Sequence, residues 1–486
     1  MQREELTELL SSFESKCRVE DWTWRGWRVW PMVRTRLALA LHGDAASGDP
    51  ARGDPAGRPA RLARSIAWRR QRARRWLGER VQSGADARAD VVFLTGGDRA
   101  QRLGTRLTNT VVDPWAEAFA AAGSRVSVWS LGDPRWPTRV PHVSIQRAID
   151  RDQTARASQP IGSAPDWFEE LASWAADALD ADLAWPNLAA DLRAVMGASS
   201  VFEPWLQRAR PRALVLDCWY RREALGAALA ARRLGIPVID LQHGIQGRGH
   251  PCYAGWSPTS EGRWEAFPDR FWVWGKWDAE SLVASNPGAI APEHVRVVGN
   301  RWLSDWVEAS DPRHARACAR AERLVAGRRA VLVTLQESVS FREELAALMR
   351  AAPRDWLWLV RLHRRAEAQP RPLQAELSRA TGRSVDAVGA TRLPLYALMR
   401  SASVHLTAYS TCALEALAFG VPTLLTHESG EHAYGEFLAD RVMWRHQSAP
   451  ESARLLADDS EARAEACRTA SRRVFAEPAD VTTLLG

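Results

Sequence analysis

From Asp90 onward, short apolar runs alternate with alanine-rich stretches of helical character. Strands that recur between helices select βαβ units and a parallel sheet, because parallel strands need a crossover connection. The first series contains Val91–Thr95, Arg125–Trp129, Ala213–Leu216, Val238–Gln242 and Phe271–Trp274. Between its third and fourth members, Arg222–Leu234 reads as a helix stopped by Gly235 and Pro237. The stretch 146–200 reads as mostly helical and interrupts the sheet. A second series runs through Val295–Val298, Ala330–Thr334, Trp356–Arg361, Val404–Thr407 and Pro422–Thr426, with helices over 340–351, 394–401 and 411–419. A chain of 486 residues exceeds what a single core supports. The expectation is an α/β protein whose two sheets face one cleft, with the boundary near Ser281–Glu293.

Four regions follow: a helical amino-terminal extension over 1–88, a first domain over 89–285, a second over 286–449, and a closing helix over 450–486. Within the extension, 1–42 reads as helical, with tryptophans at 22, 24, 27 and 30 and a break near Pro31. Residues 43–60 are rich in Gly, Ala, Asp and Pro and read as a mobile linker. Between Arg61 and Arg80 there are eight arginines against Glu79, a surplus of seven that equals the formal charge of +7 for the whole chain. The basicity therefore belongs to one element, which reads as a helix. Such a segment suits an anionic membrane surface or a partner protein. Nucleic acid is disfavoured, since nothing else in the chain resembles a nucleic-acid module. The six cysteines are scattered without CxxC spacing, the first residues lack an apolar signal core, and no apolar run approaches twenty residues. These features fit a cytoplasmic protein, peripheral on the inner membrane if the basic segment binds there.

Chemistry is expected where strands end, because ligands in open α/β sheets gather at the carboxyl edge. Val404–Thr407 leads through Tyr409 into Ser410 and Thr411 and an apolar helix carrying Glu415. Hydroxyls beside unpaired helix-start N–H groups can hold a diphosphate, or one of them can simply be an N-cap. Glu415 lies four residues beyond Thr411, so it completes no capping box from there, and a carboxylate on such a helix needs a partner. Ribose hydroxyls or an internal cation would serve. His363, followed by Arg364 and Arg365, closes another strand and suits a phosphate, against a solvated turn. Gln336 and Ser338 lie at an equivalent strand end. In the first domain Val238–Gln242 stops at His243 and Gly244, where a histidine can take the proton of an acceptor hydroxyl or be a buried structural residue. His250, Tyr253 and Trp256 follow on the same loop and, with neighbouring tryptophans, offer surfaces for glycan stacking. Asp180 and Asp182 form a DxD pattern in a helical stretch, read as a solvated face. No other cluster has metal-ligand spacing, so no metal or other cofactor is expected.

Together QHG (242–244), FPDRFWVWG (267–275), VVGN (297–300) and LYALMRSASVHLTAYSTCALEALAFGVPTLL (395–425) resemble GT-B glycosyltransferases of bacterial capsule and O-antigen biosynthesis. A more distant likeness is to the polyol-phosphate polymerases of teichoic-acid synthesis. The resemblance covers roughly 90–445 and implies two Rossmann-like domains, with acceptor on the first and nucleotide sugar on the second. It implies His243 as catalytic base or an acceptor-side catalytic residue, Ser410, Thr411 and Glu415 on the donor's phosphates and ribose, and His363 on phosphate. Relatives using CMP-linked acidic sugars often carry His-Pro where this chain has His363-Arg364. The implied activity is transfer of a sugar to a surface-polysaccharide or lipid-linked acceptor. An epimerase or polyol phosphotransferase on the same scaffold, or a non-catalytic glycan-binding module, are the alternatives.

Overall fold

The computed structural model describes residues 3–41, 88–132, 137–156, 159–247, 249–260, 264–309, 311–336, 342–363, 369–458 and 460–485. The linker 43–60, the basic segment 61–80, Ser338, Arg364 and Arg365 lie outside the described residues. The strands are β1 (Thr23–Trp24), β2 (Trp27–Arg28), β3 (Val91–Gly96), β4 (Ala100–Leu103), β5 (Arg106–Asn109), β6 (Val126–Leu131), β7 (His142–Ser144), β8 (Ala213–Leu216) and β9 (Val238–Leu241). They continue as β10 (Arg270–Val273), β11 (Val295–Val297), β12 (Ala330–Thr334), β13 (Leu357–Arg361), β14 (Ser384–Asp386), β15 (Val404–Thr407), β16 (Thr423–Leu425) and β17 (Met443–Arg445).

Two parallel sheets organise the chain. The first has the order β11-β10-β9-β8-β3-β6-β7 and the second β14-β13-β12-β15-β16-β17. Counted from its own first strand, each sheet winds outward in one direction and then reverses, which is the Rossmann order. Strands β8, β9, β12 and β15 are buried at every position, as strands covered by helices on both faces must be. The expected α/β class with two Rossmann-like domains is what the chain adopts.

Four local readings need correction. Val295–Val297, assigned to the second series, instead pairs with Phe271–Val273 and ends the first sheet. Asn286-Pro287-Gly288 marks only the turn after a crossover helix, Lys276–Ala284, which the Asn286 side chain closes by donating to Leu282 O at 2.7 Å. The sheets change over later, through the helices Arg301–Glu308 and Pro312–Val325. Pro31 does not break a helix but sits in the first turn of one, where its missing N–H has no partner to lose. Finally, 450–476 holds two helices, Ala449–Ala457 and Glu461–Val474. After them the chain returns to the first domain: Ala476 N donates to Trp274 O at 2.9 Å and Ala479 N to Val298 O at 2.8 Å.

The extension is part of the first domain's core. Helix α1 (Arg3–Lys16), the β1–β2 hairpin and helix α2 (Trp30–Leu41) bury Leu6, Leu10, Phe13, Trp22, Trp24 and Trp30 in one cluster with Trp219 and Tyr253. Among the described residues, no helix is long and apolar enough to cross a membrane.

Candidate functional site

Each sheet reverses its winding beside its first strand, between β3 and β8 and between β12 and β15. The loop that leaves β15 at the second reversal meets the loop after β9, two strands from β3 in the first sheet. At the second reversal, the chain after β15 turns at Tyr409, whose N–H donates to the Gln336 side chain beyond β12 at 2.9 Å. Tyr434 OH donates to Ser410 O at 2.9 Å, fixing the same turn from below. The helix that follows is Cys412–Ala418. Thr411 makes no side-chain cap, and Ser410 Oγ accepts from Cys412 N at 3.3 Å. Ser410 and Thr411 are both half-buried. A carbon added at Gly244 would lie 3.8 Å from Thr411 Oγ1, so the loop after β9 and the start of this helix face each other across the domains.

Behind Gly244, Gln242 holds the strand end: its Nε2 donates to Gly244 O at 2.9 Å, and its Oε1 accepts from Trp274 N at 2.5 Å. His243 Nε2 lies 3.2 Å from the hydroxyl of Tyr220, and burial pushes that phenol well above its ordinary pKa, so it stays protonated. Arg99, just past β3, donates from Nη1 to His243 O at 3.4 Å, while its buried Nε meets no acceptor among the described residues. Its charge also reaches Glu415 on the opposite domain.

Glu415 is half-buried and already has internal partners, since it accepts from the Tyr396 hydroxyl and the Cys412 side chain. Burial raises its pKa, opposed by those hydrogen bonds and by Arg99. Its partners are therefore a phenol and a thiol of the second domain, with Arg99 of the first domain adding a longer-range positive charge. His363 is exposed beyond the end of β13. Asp180 ends the helix Asp166–Leu179 in a left-handed conformation and is exposed. Among the described residues, no three His, Cys, Asp or Glu side chains gather as a metal-holding group.

Two acceptor-side expectations fail. Tyr253 and Trp256 are each 1% exposed, and both belong to the core. Tyr253 OH donates to Asp240 Oδ2 at 2.8 Å, and Trp256 Nε1 donates to Cys252 O at 3.1 Å. Nor do the tryptophans form a surface for stacking: among the described residues, the exposed large hydrophobic side chain is Val307. Aromatic residues on a glycine-rich loop looked accessible, but the amino-terminal helices cover them. His250 remains half-buried, its ring 5.6 Å from that of Tyr220.

Sequence reasoning missed Arg99, Tyr220 and Tyr396. Arg99 carried a readable signal, because it follows Gly96 and Gly97 at the end of the first strand. Tyr220 and Tyr396 carried none, since their relevance comes from tertiary placement.

The sequence matches no family model and no curated protein. Among solved structures, UDP-GlcNAc 2-epimerase from Neisseria meningitidis is 14% identical with a TM-score of 0.47, over 79% of this chain and 97% of that one. The wall teichoic acid polymerase TagF is 9% identical with a TM-score of 0.43, over 86% of this chain and 91% of that one. The calicheamicin glycosyltransferase CalG4 is 15% identical with a TM-score of 0.41, over 80% and 94%. Likeness at this level leaves function to the site itself.

Proposed function

We propose that the protein is a glycosyltransferase that moves a sugar from a nucleotide-activated donor to a surface-polysaccharide or lipid-linked glycan acceptor, of the capsule and O-antigen kind. The observation that carries the reading is the approach of Thr411 to Gly244, which brings the reversal-point loop of the second sheet against the end of β9. The donor's diphosphate would sit beside Ser410, Thr411 and the open Nε edge of Arg99. Glu415, held by Tyr396, would meet the ribose, and Gln336 would hold the Tyr409 turn. His363 would reach the phosphates from β13.

In the reaction, an acceptor hydroxyl oxygen bonds to the anomeric carbon as the bond from that carbon to the phosphate oxygen breaks. His243 takes the hydroxyl proton, and the electron pair leaves on the nucleoside diphosphate. A guanidinium aimed at the developing charge contributes most when water is excluded from the gap. His243→Ala should retain nucleotide binding and lower transfer on the order of 100-fold, as loss of a general base does. Retained turnover would remove His243 from the mechanism. Incubating the wild type with nucleotide sugar alone separates this reading from an epimerase, which needs no acceptor to change its substrate.

A further inference from the structure

The loop after His243 is gripped from two sides. On the body of the first domain, Asp240 accepts from Tyr253 OH and from Gln246 Nε2 at 2.7 Å, and Asn286 accepts from Trp256 N at 2.9 Å. On the other side stand α1 and α2. Thr7 Oγ1 donates to Gly249 O at 3.1 Å, and Ser11 Oγ to Gly255 O at 2.8 Å. Arg34 donates from Nη1 to Gly255 O at 2.9 Å and from Nη2 to Ala254 O at 2.7 Å, with its guanidinium 4.4 Å from the Trp256 ring. Glu14 pairs with Arg34, and its other oxygen accepts from Trp30 Nε1 at 2.7 Å. Gly255 permits this approach: it has φ +74°, and a Cβ there would fall 2.1 Å from Ser11 Oγ.

Arg34 and Glu14 side chains are 0% and 1% exposed. Burying an ion pair gives little net stability compared with apolar packing, so its presence needs another reason. Here the guanidinium donates to two consecutive carbonyls of one loop, which fixes geometry that apolar packing leaves loose.

We infer that α1 and α2 form a positioning element for the loop that carries His243, and that Arg34 is its central positioning residue. The effect on transfer rests on the function proposed above; the effect on the loop does not. Arg34 touches no reacting atom and acts through Ala254 and Gly255.

The test is hydrogen exchange on the full chain. Removing Arg34 alone strands the Glu14 charge, so the main variant is Glu14→Gln/Arg34→Met, with Arg34→Lys as the conservative comparison. The amides of Tyr253, Ala254, Gly255 and Trp256 are all hydrogen-bonded and report directly on the loop. In the double variant they should exchange at least about 10-fold faster, while Leu214 and Leu332 in the two sheets stay within about 2-fold of wild type. Arg34→Lys, which keeps the charge but not the two-pronged contact, should fall between. Unchanged loop amides, or equal acceleration in loop and sheets, would overturn the inference. Alongside, transfer should slow about 10-fold at unchanged UDP affinity. A wild type that binds no nucleotide would defeat the function proposed while leaving the exchange result to decide the loop.

Discussion

His405 shows how far a single side chain's environment departs from its sequence. It lies in the middle of β15, fully buried, with Nε2 2.9 Å from Thr334 Oγ1 and Nδ1 3.1 Å from Thr423 Oγ1. Burial pushes its pKa down to about 3 from an ordinary 6.5. The unfolded chain thus binds a proton that the folded chain refuses between those values. Stability from this group is complete above pH 6.5 and is lost as pH falls toward 3, at up to about 1.4 kcal/mol per pH unit. Urea unfolding at pH 7 and pH 5 should show a smaller loss for His405→Gln than for wild type, and an equal loss would contradict the assignment. In the sequence this histidine was one apolar-strand position among others. His243 stands out in the sequence because it lies past a strand end, where side chains leave the sheet. Tyr220 and Tyr396 were invisible because each acquires meaning only from a partner 23 or 19 positions away.

At the scale of elements, strand and helix placement was largely legible. Ala213–Leu216, Ala330–Thr334 and Val404–Thr407 form as read, because continuous apolar runs bounded by helices have one way to be buried. Three of the four edges were not: β7, β14 and β17 have three residues each, too short for a periodic signal, whereas the edge strand β11 was legible as Val295–Val298. The buried fate of Tyr253 and Trp256 was equally hidden, since it depends on α1 and α2 folding over a loop more than two hundred residues away. The meeting of the loop after β9 with the helix Cys412–Ala418 makes a sharp prediction. Gly244→Ala places its methyl in ordinary contact with Thr411 and should alter the melting temperature little. Gly244→Leu fills the gap and should weaken nucleotide binding by at least about 10-fold, measured by calorimetry. Equal affinities in the two variants would place the ligand elsewhere.

Across the whole molecule, the two domains are tied by segments that leave one and pack on the other. Leu103, on the β4–β5 hairpin of the first domain, sits in a core cluster of the second with Trp302 and Tyr396. Ile245 packs against the second-domain cluster that contains Leu414 and Leu417, and the carboxyl-terminal tail buries Val481 and Leu484 in one cluster with Trp115 and Trp272. Ending the chain after Val474 removes both tail side chains and should cost about 3–6 kcal/mol, read as a lower urea midpoint. An unchanged midpoint would mean the tail adds nothing to the first domain. These crossings also bring Arg99 of the first domain near enough for its charge to act on Glu415 of the second. Nucleotide binding there is tested most directly by calorimetric titration with UDP, CMP, GDP, dTDP and CDP, followed by the best ligand against Arg99→Met. At least one nucleotide should bind, and losing the guanidinium should weaken it about 10- to 100-fold, the usual worth of a charge-assisted contact. Failure of all five to bind, or full affinity without Arg99, would contradict nucleotide binding at this site.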